Sequence, residues 1–388
     1  MKTTFVTFFI VFTISTICAK NQHRQRVSFD SDWKFAYGHP CDVKQDYFHG
    51  TGYFSYITKS GYGDGPAAFN FDDRSWRTLD VPHDWAVEQG FSGDASHSHG
   101  YKTVGREFPE TSVGWYRKKF NIPSKDKGKR ISILFDGIHR DSRVWINGFY
   151  LGNESSGYYD INYDITPYLN YGGENVIAVR VDVTLEEGWF YEGAGIYRHV
   201  WLTKTNPLHV AYNGTFVKSD VKNNSATLTV ETEIDNDFYT VKDFSLIHHI
   251  VDSNGNKIVS NTFENQSVKA YSTTLITSKI EVKNPLLWSL ESPNLYKLET
   301  QVINNGETVD DYETTFGIRT IKFDANNGFF LNGKHVKIKG TCNHQDHAGV
   351  GTAIPDALQE YRISQLKSMG SNGYRAAHNP PTPELLDA

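Results

Sequence analysis

Cysteine and methionine are nearly missing, with three and two residues in a chain of 388. Three cysteines cannot build a disulfide framework. Cys18, Cys41 and Cys342 are also too far apart for a thiolate zinc site, whose ligands come in closely spaced pairs. Cys41 and Cys342 fall in what read as different domains, so no bridge is expected between them. Cations of one sign are not in excess either: 39 Lys and Arg stand against 45 Asp and Glu, a net charge of −6. No basic stripe interleaved with aromatics occurs, so the sequence predicts no nucleic-acid partner, since phosphate binding is driven by clustered Lys and Arg. No apolar run reaches the roughly 20 residues of a membrane span. Fixed-period repeats, low-complexity tracts and long charged runs are likewise missing.

What the chain has in quantity is aromatic side chains: 24 Phe, 22 Tyr and 8 Trp. Aromatic and β-branched residues suit the pleated, half-buried surface of a sheet, so mostly β domains are expected. The length predicts two or three of them. The N-terminus differs from the rest. Lys2 precedes an apolar run from Phe5 to Ile17, followed by Cys18-Ala19-Lys20. A short positive start, about a dozen apolar residues and a small residue at the end read as a secretory signal over residues 1–19. Export is therefore expected, to the periplasm, the cell surface or the medium. Ala19 is the expected cleavage point, with Ile17 at the −3 position, and a lipid-anchored Cys18 is the weaker alternative.

Residues 20–206 show many short strand-like runs: Gly114–Ile122, Arg130–Asp136, Arg143–Leu151, Asn175–Val183 and His199–Thr203. Asn147-Gly148 sits between apolar segments, a hairpin signal because both turn positions need positive φ. No helical period of comparable length interrupts them, which predicts an antiparallel jelly-roll sandwich. Residues 207–317 continue in strands. Leu228, Val230 and Ile234 alternate with Thr227, Thr229, Glu231 and Glu233, the period-2 pattern of a half-buried strand. With Phe244–Val251, Thr273–Val282 and Leu295–Ile303, and turns at Ser253-Asn254-Gly255 and Asn305-Gly306, this predicts an immunoglobulin-like sandwich without its cysteine pair.

The pattern changes over residues 318–388. Phe329–Leu331 and His335–Thr341 flank an Asn332-Gly333 turn. Pro355–Met369 reads as a helix, with Pro355 in the first turn, Asp356 at the positive end and Gly370 as its stop. Leu358, Tyr361, Leu366 and Met369 fall on one broad arc of it that needs a partner. Asn372–Ala376 reads as a strand and Pro383–Ala388 as the start of a second helix. This β-α-β-α order is the start of a parallel sheet, and two such units cannot close a barrel. The expected architecture is thus mostly β and multidomain: a jelly roll, an immunoglobulin-like sandwich and the first two βα units of an incomplete (β/α)8 TIM barrel. A chain ending in such a piece reads as cut rather than finished.

Two polar clusters stand where βα loops begin, the place where α/β barrels keep their binding groups. One is Gly340-Thr341-Cys342-Asn343-His344-Gln345-Asp346-His347; the other is Arg375-Ala376-Ala377-His378-Asn379-Pro380-Pro381. Neighbouring strands lie about 4.8 Å apart, so His344 and His378 can converge on one ligand. Imidazoles donate and accept hydrogen bonds, which suits sugar hydroxyls. A single such histidine would read as a satisfied structural residue; two at equivalent positions favour binding. A metal held by His344, Asp346 and His347 is disfavoured by their short spacing. Arg375 can be a sheet-edge ion pair, or can hold a carboxylate ionised across the barrel mouth.

These residues carry a resemblance. Asn372-Gly373-Tyr374-Arg375-Ala376-Ala377-His378-Asn379-Pro380 resembles a signature of glycoside hydrolase family 2, the β-galactosidase, β-glucuronidase and β-mannosidase group. Lys339 to His347 is similar to the β-galactosidase loop. Trp76 with Val81-Pro82-His83-Asp84-Trp85, Gly114 to Phe120, Gly188 to Arg198, and Pro285-Leu286-Leu287-Trp288 with Pro293-Asn294-Leu295-Tyr296 follow in the family's order. The resemblance implies a sugar-binding jelly roll ahead of a barrel, and a retaining mechanism with two glutamates about 5–5.5 Å apart. It implies sugar contacts from His344 and His378, and an Arg375 that favours the charged nucleophile. Asp84 is implied to reach the same pocket, although a solvated turn carboxylate is an equal reading. Glu187 and Glu192 are weak candidates for the rim, with surface charge the stronger reading.

Ala376-Ala377 and Asn379 depart from many members of the family, which leaves the sugar open. The implied catalytic glutamates belong to later barrel strands, so no catalytic residue is expected in this chain. Asn153-Glu154, the one Asn-Glu pair, reads as a plain turn, and Glu360 and Glu384 as solvated helix charges. The leading expectation is a hydrolase of terminal β-D-galactosides in oligosaccharides or polysaccharides, without cofactor or metal, its oligomeric state open to a homo-oligomer. The alternatives are a non-catalytic carbohydrate-binding protein, or a β-glucuronidase or β-mannosidase.

Overall fold

A computed structural model describes residues 23–50 and 63–388. The secretory-signal reading and Cys18 therefore lie outside the described residues.

The first sandwich is built from two sheets that meet over one core. A six-stranded sheet runs Arg77–Leu79, Trp33–Tyr37, Val113–Ile122, Gly173–Asp182, Ser142–Ile146, Phe149–Glu154 in spatial order. A four-stranded sheet faces it, in the order Gln25–Ser28, Val200–Thr205, Arg130–Phe135, Ile161–Asp164. Every pairing is antiparallel. Between them lie Trp33, Phe35, Trp85, Tyr116, Ile133, Phe135, Ile177 and Val179. Each fully buried aliphatic or aromatic side chain of this kind contributes roughly 1.5–3 kcal/mol. The central strand Gly173–Asp182 shows little alternation because its far side is covered too. There, Trp76, Trp115 and Trp145 form a second cluster. Buried Arg117 pairs with Asp73 at 2.9 Å and Arg180 with Asp46 at 3.1 Å. Asn147 and Gly148 take the positive φ angles, 51° and 84°, that their hairpin requires.

The second sandwich packs Leu208–Lys222, Ser225–Asn236 and Ser272–Lys283 against Lys257–Val268, Lys242–Val251, Tyr296–Asn304 and Glu307–Phe316. Leu228, Val230 and Ile234 point inward, as their alternation requires. The inward place between them belongs to Thr232, which meets the buried His248 ring at 3.3 Å. Cys41 and Cys342 are both free and exposed.

Beyond the second sandwich, Ile321–Asp324, Gly328–Leu331 and Lys334–His335 form a small antiparallel sheet that turns at Asn332-Gly333. The strand expected over His335–Thr341 is divided. Its start joins that small sheet, and Gly340–Asn343 forms the first parallel strand, paired with Gly373–Ala376. Helix α1 (Asp356–Ser368) connects the two and α2 (Pro383–Asp387) follows. The apolar arc expected on α1 is narrower than its sequence suggested. Leu358 and Leu366 are partly covered and Gln359 is buried, but Tyr361 and Met369 face solvent. No helix among the described residues is long and apolar enough to cross a membrane.

Candidate sugar-binding site

Parallel pairing sets Cys342 opposite Arg375 and Asn343 opposite Ala376. His344 is thus the first residue past one strand, and His378 the second past the next. Their ring centroids are 5.4 Å apart and the planes cross at 83°. The two imidazoles therefore form one surface. Arg375 lies within its strand rather than after it, and its guanidinium approaches the His378 ring at 3.5 Å. No carboxylate of a described residue pairs with Arg375, so the sheet-edge ion pair is not formed.

The loops carrying the histidines are held from outside the sheet. Arg362 of α1 donates to the His344 carbonyl at 2.7 Å. Arg198, from the jelly roll, donates to the Gln345 side chain at 3.2 Å and to the Pro380 carbonyl at 2.7 Å. One buried guanidinium thereby grips both loops. Its neighbour His199 bridges Asp30 at 2.7 Å and Asp356 at 3.0 Å, and these two carboxylates raise its imidazole to about 9.

Asp84 is only 2 % exposed, which rules out the solvated-turn reading. One oxygen accepts from the Ala86 and Ala194 amides. The other accepts from the Tyr191 hydroxyl and from the amide and hydroxyl of Thr352. Burial pushes the carboxyl up from its ordinary value, while these donors oppose the shift. Five donors occupy the roughly four lone-pair sites of a carboxylate, so the group braces the jelly roll against the loop before α1. Gly193 and Gly351 make room for it. Both have positive φ, and a Cβ on either would collide with Asp84 or Thr352.

Sequence reasoning missed the third wall of the site. Phe190 packs its ring 5.2 Å from His344 and 5.5 Å from His378. It sits on the loop after Gly173–Asp182, where Glu192 is fully buried and not a surface charge. The Glu192 carboxylate accepts from the amides of Gly188, at 2.8 Å, and Glu187, and so fixes the loop that presents Phe190. Burial raises its carboxyl from the ordinary value. Trp189, on the same loop, is 85 % exposed. Adjacent bulky aromatics followed by an acid in a Gly-flanked loop, Gly188-Trp189-Phe190-Tyr191-Glu192-Gly193, were the available signal. Glu187 is solvent-exposed and pairs with Arg140 at 2.8 Å. Asn153-Glu154 ends a strand rather than forming a turn. Glu384 lies against His199 and Asp356, and Glu360 is exposed on α1.

Two β-sandwiches followed by parallel βα units, with histidines at the strand ends and a jelly-roll loop closing over them, define a modular architecture of β domains ahead of an α/β unit. The chain belongs to glycoside hydrolase family 2. The family's sugar-binding domain matches residues 27–207, the domain described as glycosyl hydrolases family 2 matches 208–319, and its TIM barrel domain matches 323–388. A β-galactosidase of Bacteroides ovatus is 39% identical over 366 residues, covering 94% of this chain and 40% of that protein. A β-glucuronidase of Formosa agariphila is 30% identical, covering 95% and 37%. A family 2 member from Bacteroides cellulosilyticus superposes with a TM-score of 0.82 at 33% identity, covering 93% of this chain and 44% of that one. The chain thus spans about two fifths of the length of these relatives.

Proposed function

We propose that the chain supplies the sugar-recognition part of an exported β-galactosidase-like glycosidase acting on oligosaccharides or polysaccharides. The observation that carries this reading is the pair His344 and His378, set 5.4 Å apart and backed by Phe190. Two imidazoles at right angles offer donors and acceptors to vicinal hydroxyls, and the aromatic wall suits the apolar face of a pyranose. Asp84, Arg198 and Glu192 act indirectly by fixing the loops. In the retaining scheme of the family, one carboxylic acid protonates the leaving oxygen and a carboxylate attacks the anomeric carbon. Arg375 stands free to hold such a carboxylate charged. The family's pattern puts that pair on later barrel strands, and the role proposed for residues 1–388 is sugar binding.

The test combines calorimetry and turnover on the 388-residue chain. Saturable binding of methyl β-galactoside, with no release of nitrophenol from its aryl analogue, is the expected result. Hydrolysis above background would overturn the binding-only assignment. The same guanidinium, which no carboxylate of a described residue holds, supports a second reading, a β-glucuronide whose sugar carboxylate pairs with Arg375. Tighter binding of methyl β-glucuronide than of the galactoside would establish it instead.

A further inference from the structure

The geometry points to a second site, for a divalent cation of the zinc class, at the seam between the jelly roll and α1. Its ligands are His199 from the jelly roll, Asp356 at the first turn of α1, and Glu384 in α2. Ligand atoms of the three lie within 4.8 Å of one another. Atoms bound to such an ion at about 2.0–2.2 Å sit roughly 3–4 Å apart, a change that side-chain rotation supplies.

Three observations beyond proximity support an ion. Asp30 lies behind the imidazole, 2.7 Å from Nδ1, and Nε2 is the nitrogen turned toward Asp356. A carboxylate on one ring nitrogen, with the other aimed at further ligands, is the outer-shell arrangement of metal-bound histidine. Next, the Glu384 carboxylate has no hydrogen-bond or ion-pair partner among the described residues, although it lies within 4.8 Å of the His199 and Asp356 ligand atoms. Finally, Gln359 is only 6 % exposed and its Oε1 is buried without a donor. It lies three residues after Asp356 on α1 and lines the same cleft as His199, Asp356 and Glu384. The cleft's free volume of about 40 Å³ leaves room for a metal-bound water.

An imidazole with two carboxylates selects a borderline ion such as zinc over calcium or magnesium, which take oxygen ligands. In the metal-free protein His199 meets Asp30 through Nδ1 and Asp356 through Nε2; the ion takes the Nε2 position, leaves Nδ1–H donating to Asp30, and ties Glu384 in as well. The site is separate from the His344–His378 pair, and its metal binding is tested without any sugar.

The experiment is calorimetric titration of zinc into the chelator-treated 388-residue chain, alongside His199→Gln and Glu384→Gln. One equivalent should bind, with affinity reduced at least tenfold in each variant and no comparable heat from calcium or magnesium. Cobalt should give visible d–d bands in the parent chain that Glu384→Gln loses. That variant changes a partly exposed residue, so its fold can be verified independently by circular dichroism. Zinc binding unchanged by both substitutions, absence of a one-equivalent site, or calcium binding as tightly as zinc would overturn the proposal.

Discussion

One oxygen of Asp84 accepts both the amide of Thr352, at 2.9 Å, and its hydroxyl, at 3.1 Å. The two residues are 268 positions apart and belong to different domains. This contact, with Arg198 and Phe190, makes the jelly roll a structural part of the candidate site.

Replacing Asp84 with Ala should therefore open the seam. Charge-assisted bonds to a buried carboxylate are worth about 1.5–3 kcal/mol each, and their loss leaves amide donors unpaired. We expect local protection at the Thr352 and Ala194 amides to fall by about 3 kcal/mol, measured by hydrogen exchange. Exchange in Val113–Ile122, deep in the first sandwich, should stay unchanged. Gly351→Ala should act in the same direction, because its φ of 63° and the adjacent carboxylate leave no place for a methyl group.

Phe190→Ala removes the wall between the imidazoles and leaves their hydrogen-bonding atoms in place. Aromatic contacts of this kind contribute about 1 kcal/mol, so Kd for methyl β-galactoside should rise roughly fivefold. Calorimetry on the variant checks this; an unchanged Kd would remove Phe190 from the site.

Acid should destabilise both sandwiches. Burial lowers the His139 imidazole to about 3 and that of His248 to about 4. An unfolded histidine titrates near 6.5. Between that value and the folded one the unfolded chain binds more protons, so stability falls as the pH falls. The slope is up to about 1.4 kcal/mol per pH unit for each residue. Above about pH 6.5 neither contributes. Melting temperatures measured from pH 8 to pH 4 should show this decline, and His248→Gln should flatten it for the second sandwich. Equal melting temperatures at pH 7 and pH 5 would contradict the assignment.

The segment after Arg319 should exchange fastest. Its parallel sheet has two strands and hence two open edges. It also borders an apolar groove of about 600 Å³ lined by Ile321, Phe329, Val336 and Ile338, and nearby Phe323 is 77 % exposed. Amides of Gly340–Asn343 should be less protected than those of Val113–Ile122 in one hydrogen-exchange experiment.

The fold was legible where a local rule acted alone. The Asn147-Gly148 and Asn332-Gly333 turns, the alternation of Leu228, Val230 and Ile234, and the Pro355-capped helix all follow from backbone preference or burial on one face. The reading failed where tertiary context decided. His335–Thr341 reads as a single strand in sequence, with Val336 and Ile338 alternating with Lys337 and Lys339, yet two different sheets share it. Tyr361 lies on the arc of α1 that sequence assigned to a core, but that part of the helix meets no partner. The histidine pair was legible because equivalent positions of successive βα units must lie side by side. Phe190, Glu192 and Arg198 were not, because they reach the site from a domain whose orientation no local pattern encodes. Asp84 was expected to reach the sugar pocket, and in the structure its five donors tie it to the loop before α1.

The shared mouth of His344 and His378 is tested most directly by nitrogen NMR of the imidazole side chains as methyl β-galactoside is added. The account predicts that both rings shift along one saturation curve, and that His344→Ala abolishes the response of His378. Saturable sugar binding that leaves both imidazoles unmoved would contradict it.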